Sequence, residues 1–272
     1  MTELLHYTFM QNALIAGLLV SFAAGIIGTL IVVNRLVFLT GGIAHSSYGG
    51  IGMALYFGLP IFLGASIFAV GAALLIAALT FRHRHRSDSY IGLIWAVGMA
   101  IGVIFTDLTP GYNSDLMSYL FGSILAVSRE DLWFMGGLLA VILLVVHRRY
   151  REILAFSYDA EYAELRGIPT RRLYLCILVL SALTVVVAIK VVGLILVIAL
   201  MTIPTHIAER AASTLYGMMM LSGALAALFT WTGLYLSYRH DLSSGASIIL
   251  VSAGALILYE AFRYLRGSRA AR

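Results

Sequence analysis

The 272-residue chain predicts an all-α fold, a polytopic bundle of eight or nine transmembrane helices, and three observations carry that expectation. Hydrophobic residues make up 61% of the chain and charged residues only 11%, which leaves too little polar surface to cover a water-soluble globule. The apolar residues fall into runs of about 20, the length a helix needs to cross a hydrocarbon core. The basic residues collect in alternate breaks between those runs, as the bias of Lys and Arg toward the cytoplasmic side predicts.

Read in order, the runs place helices near 12–33, 38–57, 61–80, 90–106, 132–147, 173–189, 192–208, 216–237 and 243–262. Residues 1–12 carry Glu3 and His6 but no Lys or Arg, so the first run is expected to be a retained span and not a cleaved leader. In the second, Ser46, Gly50 and Ala54 recur every four residues, and in the fourth Gly98 and Gly102 form a GxxxG pair; both are small-residue faces that let helices approach closely. The third ends at Arg82-His83-Arg84-His85-Arg86, a stop signal facing anionic headgroups or, alternatively, a metal-binding tract. A loop at 107–131 follows, mildly acidic through Asp107, Asp115, Glu130 and Asp131.

After the fifth run, 148–172 reads as a polar loop enclosing a short helix near 157–169, begun by Asp159 as its cap and ended by Gly167. Residues 173–206 are too long for one span and scarcely enough for two, so a boundary is expected at Lys190, or else a broken segment. Nine spans with the N-terminus outside and the C-terminus inside put every basic residue except Arg129, Lys190 and Arg239 on the inner side. The whole of 1–272 then reads as a single transmembrane domain.

Several functions are excluded by what is missing. The net charge of +5 reports membrane orientation and not a nucleic-acid partner, since the arginines lack interleaved aromatics or a binding motif. The single cysteine, Cys176, permits neither an internal disulfide nor a cysteine zinc cluster. The single lysine, Lys190, sits in an apolar stretch, so no phosphate-binding Gly-rich loop exists and the chain is not itself an ATPase. Without a His-Glu-x-x-His pair or a Gly-x-Ser-x-Gly elbow, the default is passage across the bilayer.

His45 is the most informative residue for such a passage. An ionisable side chain about 4 Å from the middle of a span faces a partner or a watery path. Helical spacing puts Gly41, Gly49 and Gly52 on its face, a surface almost free of side chains where a close-packed helix or a passing ion would fit. A neutral imidazole suits zinc, manganese or iron; a hydrogen bond to a neighbouring helix is the other reading. His206, after Ile203-Pro204-Thr205, is a second polar position along a path or a cap, and His240 with Asp241 is an outer imidazole and carboxylate or a solvated turn.

Four segments together resemble the ABC-3, or zinc/manganese-type, metal importer permeases over nearly the whole chain. Leu39 to Gly50, with His45, is similar to that family's second-helix signature, and Asp115 to Gly122 to its outer-loop signature. Tyr158 to Ile168 resembles its coupling element, an aromatic-Asp-x-Glu-x-Ala-x-x-x-Gly pattern met by Tyr158, Asp159, Glu161, Ala163 and Gly167. Val191 to Pro204 resembles the glycine-to-Ile-Pro stretch that follows.

The resemblance implies a non-catalytic permease subunit in the inner membrane of a prokaryote, paired with a second copy of itself. Cytoplasmic ATP-binding subunits would dock on the coupling element and hydrolyse ATP. An extracytoplasmic metal-binding protein would deliver a divalent ion, the cargo, with no permanently bound cofactor. Two departures are visible: many members carry an acidic residue four positions before the histidine, where this chain has Gly41, and many carry Ala where His206 stands. A permease for a metal chelate such as haem or a siderophore is the alternative within transport. An ion-coupled secondary transporter, which would need no ATPase, is the alternative outside it.

Overall fold

The computed structural model describes residues 7–81, 87–110, 122, 124–194 and 197–270. Among these every regular element is helical: α1 (Thr8–Val33), α2 (Val37–Phe57), α3 (Ile61–Thr80), α4 (Ser87–Leu108), a 3-10 turn (Ile124–Ala126), α5 (Arg129–Tyr158), α6 (Ala160–Leu165), α7 (Thr170–Val192), α8 (Val197–Ala211), α9 (Leu215–His240) and α10 (Ser244–Ala270). Seven of them, α1, α3, α4, α5, α7, α9 and α10, are long and apolar enough to cross a bilayer. Helix α2 is diluted by Gly, Ser and His45, and α8 has 15 residues, about 22 Å of helix against a core of about 30 Å.

Helices α1 and α7 form the centre, with 72% of their apolar stretches buried, while α4, α5 and α10, at 22%, make the periphery. Buried hydroxyl pairs fasten the centre, as interhelical hydrogen bonds do in helix bundles of this kind. Ser21 of α1 meets Thr230 of α9 at 3.2 Å, Thr80 of α3 meets Tyr174 of α7 at 2.8 Å, and Thr205 of α8 meets Ser222 of α9 at 2.7 Å. Serving also as i−4 donors, as Thr80 does to Ile76 and Thr205 to Met201, these side chains leave no orphan polar atom of their own.

The small-residue faces meet as close packing requires. A Cβ on Gly49 would lie 2.8 Å from the Gly98 carbonyl oxygen, and one on Gly52 would lie 2.9 Å from the Gly102 Cα and closer still to its carbonyl. Gly50 and Ala54 fit against Gly64 of α3. So α2 is held on two sides by backbone-to-backbone contact, and the surface beyond His45 is covered largely by α4.

Two boundaries differ from expectation. The segment after residue 147 is helix and not loop: α5 runs unbroken to Tyr158 because Ile153 and Phe156 continue its buried stripe and Arg149 pairs with Glu152 at 2.7 Å. The second break falls at Gly193 and not at Lys190. Gly193, at φ +85°, packs against Gly122, at φ +69°, so tightly that a Cβ on Gly122 would overlap the Gly193 backbone; only glycine takes both the left-handed backbone and the lost volume.

Candidate functional site

At one end of the bundle lie the α1–α2 turn, the end of α5, α6 and the α8–α9 turn, around a cavity of about 660 Å3 that includes Asn34, Arg35, Tyr158, Ala160, Glu209 and Thr214 in its wall. Helix α6 is set there by its own chemistry. Asp159 Oδ1 accepts a hydrogen bond from the Tyr162 N–H at 2.9 Å, capping the first turn. Gly167, at φ +76°, closes the last, with its N–H bonded to the Glu164 carbonyl and that of Ile168 to the Ala163 carbonyl. Ala163 is fully buried beneath, whereas Tyr158, Tyr162 and Leu165 are 71, 52 and 87% exposed, an apolar surface offered outward with Glu161 beside it. Arg166 lies over the Tyr162 ring at 5.8 Å.

His45 is half-buried in α2 and stacks flat on Trp95 of α4, with ring centroids 4.2 Å apart and planes at 9°. Trp95 is itself fixed, its indole N–H directed at Met99 Sδ at 3.1 Å and its ring against Phe38 at 5.7 Å. Nδ1 of His45 is buried with no hydrogen-bond partner among the described residues, which is rare and expensive inside a protein. Just beneath, Ile198 packs so closely on Gly41 that a Cβ there would lie 2.8 Å from its Cδ1, and beside them a cavity of about 560 Å3 opens, lined also by Trp95, Arg35, Phe38 and Asp88.

The four residues expected as metal ligands are not gathered. His206, on α8, stands between Glu209 at 3.7 Å and Glu260 of α10 at 4.0 Å, beside Arg210, which reaches Glu260 at 3.1 Å. His240 ends α9, and Asp241 is its exposed cap in the left-handed conformation, φ 53°. Among the described residues no group of three or more His, Cys, Asp or Glu side chains is placed to hold a metal ion. Asp115 lies outside the described residues.

Sequence reasoning missed two participants, Trp95, whose role appears only once α4 packs on α2, and Asn34, and of the acidic outer-loop residues it did not foresee the pairing of Asp131. The last, in the first turn of α5, takes the Lys190 ammonium at 2.5 Å, while its other oxygen accepts from the Ser128 N–H and hydroxyl at 2.8 and 2.7 Å. The spacing Ser-x-x-Asp was the available signal. Lys190 also lies 5.9 Å from the Phe62 ring of α3, so the only lysine joins three helices at the end opposite α6. Because the pair is mostly enclosed, Lys190→Met is expected to cost about 1–3 kcal/mol, read as a lower melting temperature in detergent, with Lys190→Arg recovering part of it.

A central pair of helices, a broken α7–α8 segment, a capped amphipathic helix at one end and a mid-helix histidine define a multi-pass membrane protein of the permease type. Residues 6–263 match the family model described as the ABC 3 transport family, and the chain belongs to that family. It is 48% identical over 263 residues, 97% of this chain and 94% of the other, to an uncharacterized membrane protein of Synechocystis sp.. It is 33% identical over 276 residues, covering 98% and 94%, to the manganese transport system membrane protein MntC of Halalkalibacterium halodurans. Among solved structures it is similar to PsaBC from Streptococcus pneumoniae in complex with Fab, with a TM-score of 0.84 and 30% identity over 95% of this chain and 93% of that one.

Proposed function

We propose that this chain is the permease subunit of an ATP-driven importer of divalent transition-metal ions, manganese or zinc and also iron, working by alternating access in a prokaryotic inner membrane. One observation carries the reading: a mid-helix imidazole, held flat on Trp95, whose buried Nδ1 has no hydrogen-bond partner among the described residues. Such a nitrogen is ready for a ligand that arrives and departs. Because no group of three or more His, Cys, Asp or Glu side chains is gathered there among the described residues, the ion is held weakly, as passage demands. His206, His240 and Asp241 act as separate polar positions along the route and not as one cage. The manganese transport name of the relative from Halalkalibacterium halodurans supports this class of cargo over a chelate.

In this reading α2 and α8 count with the seven apolar helices as membrane-crossing segments, so nine cross, the N-terminus lies outside and the arginine-rich end with α6 faces the cytoplasm. ATP-binding subunits grip the exposed Tyr158, Tyr162 and Leu165 face of α6, a metal-binding protein docks at the opposite end near Asp115 and Gly122, and two copies of the chain pair. Closure of the ATPases rocks the bundle as rigid bodies.

The test is uptake of manganese, zinc and iron into vesicles carrying the chain with its ATPase and binding protein. Asp159→Ala removes the cap of α6, a loss of about 1 kcal/mol in a six-residue helix. It is expected to weaken co-purification of the ATPase and to lower uptake in proportion. Undiminished ATPase binding by Asp159→Ala would remove α6 from the coupling role, and uptake of a chelate but no free ion would replace the cargo.

A further inference from the structure

A partner docked on α6 can drive a cargo at His45 only if movement of the first reaches the second. The two are on different helices, and the structure joins them through the turn between α1 and α2. Asn34, the residue after α1, donates both amide hydrogens of Nδ2: one to the Leu30 carbonyl at 2.8 Å and the other to Ser157 Oγ at 3.0 Å. Ser157 is two residues before Asp159, the cap of α6. One side chain therefore ties the end of α1 to the root of the partner-facing helix.

The next residue, Arg35, has φ 58°, a left-handed conformation that residues other than glycine keep only where their surroundings hold it. Here the holding contacts are backbone bonds from Arg35 N to the Val32 carbonyl at 3.0 Å and from Leu36 N to the Ile31 carbonyl at 2.8 Å, with Leu36 buried behind them. Arg35 also lines two cavities: the one walled by Tyr158 and Ala160, and the one beneath Gly41 and Trp95. Two residues on, α2 begins and carries His45 about 12 Å further along a rigid helix. Its closest approaches to α3 and α4, at Gly50 and Gly52, are backbone against backbone, while Phe68 and Ile91 side chains sit against Gly49 and Gly42; packed helices of this kind move by small shear along their axes.

We propose that Asn34 and Ser157 form a relay through which displacement of α6 is passed by the strained Arg35 turn to α2, shifting His45 against Trp95. Both are positioning residues: neither touches the cargo. The relay rests on the proposed docking of an ATPase on α6.

The experiment compares wild type with Ser157→Ala and Ser157→Thr in vesicles holding the complete complex. Three readouts are taken: ATPase retained on purification, manganese ions taken up per ATP hydrolysed, and nucleotide-dependent hydrogen exchange in residues 37–57. Ser157→Ala is expected to keep its ATPase and hydrolyse ATP, yet to lose about fivefold in ions per ATP, roughly the factor that one net hydrogen bond is worth. Its α2 exchange should no longer respond to nucleotide. Ser157→Thr keeps the hydroxyl, has a cavity beside it for the added methyl, and is expected to behave as wild type.

The relay is overturned if Ser157→Ala keeps the wild-type ratio and exchange response, if Ser157→Thr fails as Ala does, or if Ser157→Ala sheds the ATPase, which would make Ser157 a docking residue. Nucleotide-dependent exchange in α2 that requires Ser157, with no ion moved by wild type, would leave the relay standing and sink the cargo assignment. A wild-type chain that binds no ATPase would end both.

Discussion

Gly52→Val is expected to abolish recovery of folded, monodisperse protein from detergent, because α2 and α4 touch through their backbones at this point. A Cβ at position 52 would lie 2.9 Å from the Gly102 Cα and within overlap of the Gly102 carbonyl oxygen, and neither atom belongs to a side chain that can turn away. The helices must separate, and separation would also unstack His45 from Trp95, about two turns below on each helix, since the same two helices hold that pair. Overpacked cores lose about 1–3 kcal/mol where side chains can adjust; with backbone on both sides the loss is expected at or above the top of that range. Gly137→Ala is the control. A Cβ there meets nothing within 4 Å, so the change is expected to be neutral or to stabilise α5 by up to about 1 kcal/mol. Size-exclusion profiles and melting temperatures of the two variants decide the matter: a well-folded Gly52→Val would mean that α2 and α4 do not approach as closely as described.

The glycine faces were legible because their signal is local and periodic: Ser46, Gly50 and Ala54 on one helix, Gly98 and Gly102 on another, each four residues apart. The long apolar runs were legible for the same reason. What failed was reading charge as loop. Arg148, Arg149 and Arg151 suggested an end to the fifth helix, yet Ile153 and Phe156 keep its buried stripe in phase to Tyr158. Lys190 misled in the same way. Its charge is absorbed by Asp131, 59 residues away, so α7 carries it to within a turn of the true break, which backbone geometry at Gly193 sets. His45 stood out as a polar atom in the wrong solvent, but Trp95, which orients it, and Asn34, which ties α1 to α5, depend on which helices become neighbours. No window of the sequence contains that information.

His45→Phe is the variant that separates a packing role of the imidazole from the transport role proposed for it. A phenyl ring at position 45 can still stack on Trp95 and leaves no buried Nδ1 in want of a partner, so the melting temperature is expected to stay within a degree or two of wild type or to rise, because an unpaired buried polar atom costs about 1–3 kcal/mol. His45→Ala, by contrast, empties the site beside the indole and is expected to destabilise. If the histidine served only to pack α2 on α4, uptake per folded molecule would follow stability, with Phe active and Ala impaired. If it offers its nitrogen to a passing ion, both variants lose uptake together, by at least about tenfold, the factor set by one lost interaction of about 1.4 kcal/mol, while ATP hydrolysis by the attached subunits persists. Manganese, zinc and iron should fall in parallel in Phe, since an imidazole accepts all three and selection among them then lies with the protein that delivers the ion. A His45→Phe chain that moved metal as wild type does would remove His45 from the path and turn attention to the Gly41 and Asp88 cavity beneath it.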